Sequence, residues 1–303
     1  MQIGTKNFYQ SQINGMTDLQ TKIGRIQEEV STGKKLLAPS DDPGAYTVAD
    51  RLTQTIASMD QYGRNIGMAK ARLSQEDTVL TSASNIIARL NELGVQGANS
   101  TNDEVARLAI SQEMTQLSEQ LVALGNSVDA NGDYLFAGYK SDHAPFSFDA
   151  ASQKINYNGD TGRKDVELAK GIATPTSSNG LELFMNVGRS GNQTVSIFDI
   201  INNATAALNN NENVPDSVLS DLKGAIDHFS TYQAICGSRL QKVETADANR
   251  LAQLTNVKST LSTIQDADLA QLASDLQQKS LTLQAAQSVF AKISQLTLFN
   301  FIK

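Results

Sequence analysis

Apolar residues near the C-terminus follow a seven-residue repeat. The repeat holds large apolar residues at one position and smaller or branched ones at an intermediate position: Leu269, Leu276, Leu283 and Phe290, then Leu272, Ala286 and Ile293. This spacing places one narrow apolar stripe along a long helix. The pattern predicts a helix over residues 266–303 that packs against another helix.

The N-terminal segment carries a matching repeat. Its positions are Tyr9, Met16, Ile23, Val30 and Leu37, supported by Leu19 and Ile26. We therefore predict that two terminal arms, residues 1–40 and 266–303, pair as antiparallel helices. Gly4, Gly15 and Gly24 each cost a helix about 1 kcal/mol relative to Ala, so we expect the arms to be marginal in a monomer and to order when other subunits cover them.

A turn separates the first arm from the next helix. Gly33 is suited to end a helix, and Pro39, Ser40, Asp41, Asp42 and Pro43 follow it. Ser or Asp caps helix N-termini, and proline is favoured at the first helical position. The sequence predicts a structural turn over residues 39–43 and a new helix that begins near Pro43.

A long heptad pattern follows this turn. One of its positions is occupied by Leu52, Met59, Ile66, Leu73, Leu80 and Ile87. At its other position, which runs from Val48 to Leu90, Glu76 is the only charged exception. A helix of about 50 residues is roughly 75 Å long. We predict a turn over residues 94–103, a returning helix, and a second long repeat around Leu240 and Leu254 that Asp247 and Arg250 interrupt. Residues 41–130 and 196–265 form the predicted helical rod domain.

The pattern changes between residues 131 and 195. Alternating apolar residues in Tyr134-Leu135-Phe136, Phe146-Ser147-Phe148 and Ile155-Asn156-Tyr157 predict short strands, and Asn158-Gly159 predicts a tight turn. The fold class predicted from these patterns is mainly α. It consists of a long antiparallel coiled-coil-like helical rod, built from N- and C-terminal arms, with a small β-rich insert domain at residues 131–195.

Composition and charge exclude several classes of function. The chain of 303 residues has no Trp, a net charge of −7 and no visible Lys/Arg cluster, which argues against binding to nucleic acid or to an acidic membrane surface. No apolar stretch of 18 residues and no cleavable secretory signal is visible. We expect a chain that is cytosolic or leaves the cell by a route that needs no such signal.

Catalytic chemistry is not indicated by any motif. His143 and His228 have no partners at metal-ligand spacing, and Cys236 lies among apolar residues. Asp41 and Asp42 are adjacent carboxylates, but helix capping explains them. No phosphate loop or dinucleotide fingerprint occurs. We therefore expect no catalytic, cofactor-binding or metal-binding residues, no cofactor and no enzyme activity, and we expect the apolar arms to bind protein partners.

Three motifs follow one another along the chain: EVSTGKK at 29–35 with APSDDPGA at 38–45, GDYLFAG at 132–138 followed by Pro145 and Phe146, and LQAAQ at 283–287 with FAKIS at 290–294 and LFNFI at 298–302. In this order they resemble the flagellin superfamily, in particular its hook-associated protein 3 branch. The resemblance covers both arms and the beginning of the insert. Residues 35–39 differ from the segment that is usual in flagellin itself. This difference argues against the interpretation of the chain as a flagellin of the filament.

The resemblance implies a structural component of the bacterial flagellum. Such a protein is an adaptor ring of identical subunits at the hook–filament junction, with hook-associated protein 1 on one side and flagellin on the other. It is exported by the flagellar type III system, so that it is cytoplasmic before export and extracellular afterwards, and a flagellar export chaperone covers its C-terminal helix before secretion. Nucleic acid and membrane are not among the implied partners.

The predicted interface for neighbouring subunits and for the chaperone is the apolar stripe of both arms. Its residues are Tyr9, Met16, Ile23, Val30, Leu269, Leu272, Leu276, Leu283, Phe290, Ile293 and Leu298. Three alternatives remain open at this point: a minor flagellin of the filament, a cytosolic coiled-coil scaffold that is not exported, and an enzyme carried by the insert. The insert is short and lacks an acid, base or metal set, which argues against the last one.

Overall fold

The computed structural model of the protein describes residues 2–150, 153–189 and 193–299. Long helices dominate the described part. They are α1 (Gln2–Thr32), α2 (Pro43–Gly97), α3 (Glu104–Gly125), α4 (Ile197–Asn209), α5 (Asp216–Gln265) and α6 (Leu269–Phe299). The strands and a single π-helical turn fall between α3 and α4: β1 (Phe146–Asp149), β2 (Lys154–Tyr157), β3 (Asp165–Ala169), β4 (Ile172–Pro175), the π-helix Leu181–Met185, β5 (Val187–Arg189) and β6 (Gln193–Val195).

The chain divides into two compact units. The terminal unit comprises Met1–Ser58 and Gln253–Lys303, and the central unit comprises Met59–Ala252. The central unit includes the strands as well as the helices that flank them. The fold class predicted from the sequence is confirmed in these terms: long N- and C-terminal helices with a small strand-containing insert.

In the terminal unit, α1 and α6 pair in antiparallel orientation. Tyr9, near the start of α1, meets Phe290, near the end of α6, with the two ring centroids 5.6 Å apart. At the other end of the pair, Lys34 forms an antiparallel bridge with Asp266. The N-terminal and C-terminal helices therefore pair with each other, as the matching repeats predict.

Two breaks in the helices of the terminal unit lie side by side. Gly33 ends α1 with a φ of +69°, in the left-handed region that favours glycine. The amide of Lys35 donates to the carbonyl of Gln265 at 2.8 Å, and the amide of Ala267 donates to the carbonyl of Gly33 at 3.0 Å. These bonds join the end of α1 to the short connection between α5 and α6.

The core of the central unit combines residues of α2, α3, α4, α5 and the insert. An aromatic cluster lies where the insert meets α4 and α5, and its phenylalanines are almost fully buried: Phe136, Phe146, Phe184, Phe198 and Phe229. Each large apolar side chain that is fully buried contributes roughly 1.5–3 kcal/mol. The insert therefore shares one continuous core with the helices that carry it.

The described strands form three separate two-stranded antiparallel hairpins, β1–β2, β3–β4 and β5–β6. In the first hairpin Phe146 pairs with Tyr157 and Phe148 with Ile155, so two of the alternating segments predicted from the sequence are strand partners. Asn158 and Gly159 follow β2 directly and do not connect the two strands.

The strand predicted at Tyr134-Leu135-Phe136 is wrong. Tyr134 forms only an isolated bridge with Val128. Its own amide donates to the carbonyl of Ser141, the amide of Leu135 donates to Ser127, and the carbonyl of Phe136 accepts from Gly180. Because these backbone groups bond three separate segments, no neighbouring strand runs alongside them.

The turn predicted at residues 94–103 begins later than expected, because α2 continues to Gly97. A Cβ atom on Gly94 would lie 2.9 Å from Leu219 Cδ2, and one on Gly97 would lie 2.8 Å from Val214 Cγ2. Both glycines thus allow the end of α2 to approach α5 and the segment before it. They are packing residues of a helix, where the sequence suggested a turn.

A glycine also explains the interruption of the α5 repeat. The guanidinium of Arg250 lies against Gly63 of α2, where an added Cβ would be 3.0 Å from Arg250 Cζ. The Arg250 side chain also donates to Asp247 Oδ1 through Nε at 3.0 Å and Nη2 at 2.8 Å. The two charged residues that break the apolar stripe therefore form an ion pair beside a position without a side chain.

Candidate assembly interface

The predicted stripe forms the seam between α1 and α6. Tyr9, Met16 and Ile23 on α1 are half-buried, and so are the stripe residues of α6 from the second turn onward: Leu272, Leu276, Leu283, Phe290 and Ile293. The side chain of Leu298 lies outside the described residues. The structure thus brings most of the predicted interface residues together within one chain.

Val30 and Leu269 differ from the rest of the stripe. They are 40% and 52% exposed, at the end of the pair where α1 finishes and α6 begins. Ile26, which the sequence assigned only a supporting place, is instead the most buried apolar side chain in the described part of α1, at 8% exposure. The seam is therefore tightly packed at Ile26 and exposed to solvent from Val30 and Leu269 onward, toward the end of α1.

A second group of apolar side chains on the two arms points away from the seam. It comprises Phe8 and Ile13 on α1, each 44% exposed, and Leu281 and Val289 on α6, at 59% and 55%. The seven-residue repeat missed these residues because they do not lie on its stripe. A count of large apolar residues on each arm would have found them, because each arm has more such residues than one narrow stripe contains.

In the turn at residues 39–43, the two adjacent aspartates accept hydrogen bonds from different segments. Asp42 Oδ1 accepts from the amide of Ala45 at 2.9 Å, so Asp42 is the cap of α2, and Pro43 is its first residue as predicted. Asp41 Oδ2 accepts from the amides of Leu37 and Ala38, both at 3.0 Å. Only one of the two carboxylates caps the helix.

Asp41 also fastens the turn to the first arm. Its Oδ1 lies 2.9 Å from Arg25 Nη2, and Arg25 Nε bonds Glu29 Oε1 at 3.0 Å. The amides of Ala38 and Leu37, with the charge of Arg25, hold the pKa of Asp41 below its ordinary value. The APSDDPGA motif is therefore a clamp between α1 and the start of α2.

The GDYLFAG motif is held by an aspartate that sequence reasoning missed. The carboxylate of Asp160 accepts from the amides of Tyr139, Lys140 and Gly162 at 2.9, 3.1 and 2.7 Å. Gly138 has a φ of +73°, and a Cβ there would clash with Asp160 Oδ1. Partial burial opposes the charge of Asp160, but the three amide donors outweigh it, so its pKa lies below the ordinary value.

The described residues are informative about metal ligands, membrane-spanning helices and the thiol of Cys236. They contain no group of three or more His, Cys, Asp or Glu side chains placed to hold a metal ion. Nor does any helix in residues 2–150, 153–189 and 193–299 have the length and apolar character needed to cross a bilayer. Burial raises the pKa of the Cys236 thiol to about 12, and its sulfur donates to the carbonyl of Leu73 at 3.3 Å. Cys236 is therefore a neutral core residue.

Comparison with known proteins identifies the class. The bacterial flagellin N-terminal helical region matches residues 3–141, and the bacterial flagellin C-terminal helical region matches residues 219–302. The chain belongs to the bacterial flagellin family.

Individual relatives within the family are more specific. The chain is 27% identical to flagellar hook-associated protein 3 of Salmonella typhimurium over 99% of both chains. It is 28% identical to flagellar hook-associated protein 3 of Escherichia coli over the full length of both. A putative flagellar hook-associated protein from Vibrio parahaemolyticus has a similar fold, with a TM-score of 0.67 at 21% identity over 75% of this chain and all of that one.

Proposed function

We propose that this protein is the flagellar junction protein that joins the hook to the filament, as a ring of identical subunits. The observation that carries the proposal is the end-to-end similarity to flagellar hook-associated protein 3, which extends through the insert as well as the terminal helices. Within such a ring, hook-associated protein 1 and flagellin are the neighbours on the two sides. The chain is a structural component of the flagellum in this role, with no reaction to catalyse.

The arms supply the surface for assembly in this proposal. Pairing of α1 with α6 covers one stripe on each helix, while Phe8, Ile13, Leu281 and Val289 remain between 44% and 59% exposed. Several large apolar side chains exposed on one helix pair are typical of a protein interface. Neighbouring subunits would cover these outward residues and the open end of the seam at Val30 and Leu269.

The seam of α6 has a second use before assembly. We propose that a cytoplasmic export chaperone binds the apolar stripe of α6 in place of α1 and keeps the arm from pairing prematurely. The chain then leaves through the flagellar type III system, and its final location is outside the cell at the hook–filament junction. An amphipathic helix that docks in an apolar groove is a common recognition mode for such partners.

A deletion strain tests the function. Loss of the gene is expected to give cells that carry hooks but no filaments, with flagellin released into the medium. Filaments of normal length in that strain would instead favour a minor flagellin. Retention of the protein in the cytoplasm of cells with working flagellar export would favour a cytosolic scaffold and contradict the proposal.

Truncation tests the role of the tail. Removal of residues 270–303 is expected to stop filament growth while the central unit, Met59–Ala252, stays folded. Circular dichroism of the purified truncated protein checks the folding, and electron microscopy of the complemented deletion strain checks the filaments. Normal filaments from this variant would show that the tail is not needed for assembly.

A further inference from the structure

Glu76 is a charged residue in an apolar position. It lies on the α2 stripe between Leu73 and Leu80, and all three side chains have an exposure of 0%. Helix capping and surface solubility, which account for most carboxylates of a helical protein, do not apply to it. A buried carboxylate costs stability unless its environment compensates the charge.

The partners of Glu76 belong to two other parts of the central unit. Its Oε1 accepts from the backbone amide of Ser178 at 2.9 Å, and Arg239 of α5 donates to the hydroxyl of Ser178 at 3.2 Å. Ser178 lies in the connection between β4 and the π-helix, where residues 176–180 are all buried. One carboxylate thus links α2, α5 and the segment that carries the β3–β4 hairpin.

Compensation of the charge is incomplete. Arg239 on α5 and Arg72 on α2 are the cations that act on Glu76, but Arg72 is engaged by Asp129, 2.6 Å away, and by the carbonyl of Tyr134. Among the described residues, Glu76 Oε2 has no hydrogen-bond partner. Burial raises the pKa of Glu76, which shows that desolvation outweighs the favourable contacts.

The hydrogen bonds that the β3–β4 hairpin itself makes to α2 and α5 are exposed to water, whereas the amide of Gly180, at the end of the segment 176–180, donates to the carbonyl of Phe136 within the insert. The insert packs on the helices through aromatic rings, such as Phe184 on Phe229 at a centroid distance of 5.4 Å, and apolar contacts tolerate sliding. Asn65 donates to Glu167 and Lys242 donates to Ala173, but both bonds lie at exposed positions where water competes. The Glu76 contact is buried and directional.

We propose that Glu76, together with Arg239, fixes the segment 176–180 and the β3–β4 hairpin in a single orientation on α2 and α5, and that the buried acceptor at Glu76 serves this specificity and not stability. Buried polar groups select one arrangement in other proteins because every alternative leaves them unpaired. Here a shifted hairpin would leave the Glu76 carboxylate without the Ser178 amide. The role goes beyond assembly by the arms, since it concerns the central unit alone.

The distance between two spin labels tests the proposal. Ile172→Cys in β4 and Ala88→Cys on the exposed face of α2 provide the labelling sites, and the buried Cys236 does not compete for the reagent. The chain with native Glu76 and the Glu76→Gln variant, which keeps an acceptor for the Ser178 amide, are expected to give one narrow distance distribution. The double variant Glu76→Leu/Arg239→Met is expected to give a broad or split distribution with an unchanged or higher urea midpoint.

A second variant separates orientation from folding. Ser178→Ala removes the hydroxyl that accepts from Arg239 and that also bonds the Glu76 carboxylate. It changes no buried charge, and it is expected to broaden the distribution while the urea midpoint stays the same. Narrow distributions in both the double variant and Ser178→Ala overturn the proposal. A double variant that is less stable or does not fold also overturns it, because the charges would then be needed for stability.

Discussion

The ring of Tyr9 packs edge-on against the ring of Phe290, with the ring centroids 5.6 Å apart and the planes at 88°. This contact sets the register of the two arms. Since both helices rise by the same amount per residue, a step of seven along each arm places Met16 level with Leu283 and Ile23 level with Leu276. The register ends at the bridge between Lys34 and Asp266.

Loss of this ring contact is expected to loosen the arm pair at the start of α1 and the end of α6. An edge-to-face aromatic pair contributes about 0.5–1.5 kcal/mol beyond its buried area, so Tyr9→Ala should increase hydrogen exchange in the first turns of α1 and the last turns of α6. Ile13→Ala is the control, because Ile13 is 44% exposed and lies off the seam. Equal exchange in the two variants would show that the rings do not hold the arms together.

Charge on the seam and charge on the outer face should have different effects. Leu276→Asp places a carboxylate in the half-buried seam and is expected to cost the pairing of the arms roughly 1–3 kcal/mol, whereas Leu281→Asp, at a side chain that is 59% exposed, should leave the pairing intact. Hydrogen exchange of α1 reports the pairing, and filament formation in the complemented deletion strain reports assembly.

Both of these variants are expected to stop filament growth, but only Leu276→Asp should also weaken binding to the export chaperone. The melting temperature of the central unit should stay the same in both, because that unit ends at Ala252. If Leu281→Asp forms normal filaments, the outward residues are not an assembly surface. A large loss of stability in the central unit would show that the arm is ordinary core.

The sequence predicts the pairing of the arms because their apolar periodicity is long and regular. One apolar stripe runs from Tyr9 to Val30 and another from Leu269 to Phe290. When the two helices pair, each stripe buries the other. The turn between Pro39 and Pro43 can also be predicted from the sequence. Asp is a preferred N-cap residue and proline is preferred at the first helical position, and Asp42 and Pro43 occupy these places. These features depend on neighbours within a few turns of one helix.

Contacts between distant segments were not readable from the sequence. Asp160 holds the amides of Tyr139 and Lys140 from about 20 residues away, and Glu76 meets Ser178 across 102 residues. Tyr134-Leu135-Phe136 resembles a strand locally, but its backbone bonds are distributed over several segments. Periodicity carries no information about such partners, so neither contact could be assigned before the structure.

The pH dependence of stability should differ between these two carboxylates. The pKa of Asp160 is lower in the folded chain, so its contribution is present above its ordinary value of 3.8 and is lost as the pH falls through the folded pKa. Asp160→Asn should therefore destabilise the protein at neutral pH, with a difference from the unsubstituted chain that shrinks on acidification. Urea unfolding between about pH 7 and pH 3 measures this difference.

Glu76 is expected to show the opposite sign. Its pKa is raised above 4.5 in the folded chain despite Arg72 and Arg239, so its favourable contribution is present below 4.5 and is lost as the pH rises through the folded pKa. Relative to Glu76→Gln, the unsubstituted chain should gain stability as the pH falls from about 7 toward 4. The neutral thiol of Cys236 does not titrate in this range. An equal pH profile for the two chains would contradict burial of an ionised Glu76.

Two glycines of α2 should respond oppositely to the same substitution. A Cβ at Gly67 would have no atom within 4 Å, so Gly67→Ala should stabilise the helix by roughly 0.5–1 kcal/mol. At Gly97 a Cβ would lie 2.8 Å from Val214 Cγ2 and 3.0 Å from Leu208 Cδ2. Overpacking costs about 1–3 kcal/mol, so Gly97→Ala should be destabilising despite its gain in helix propensity. The urea midpoints of the two variants provide the measurement, and a stabilising Gly97→Ala would show that the α2 end is loosely packed.

The glycines of the first arm test whether weak pairing is part of the function. Gly15 and Gly24 are exposed, and a Cβ at either position would have no atom within 4 Å. Gly15→Ala with Gly24→Ala should therefore stabilise α1 by about 1–2 kcal/mol in total, without a new contact. If the export chaperone must displace α1 from the seam, this stabilisation opposes its binding, and the affinity should fall roughly 5- to 30-fold. Calorimetric titration of the purified chaperone into the double variant measures the change, with Gly67→Ala as the control that stabilises a helix outside the arms. An unchanged affinity would show that the chaperone binds α6 without opening the pair, and that the arm glycines have no part in export.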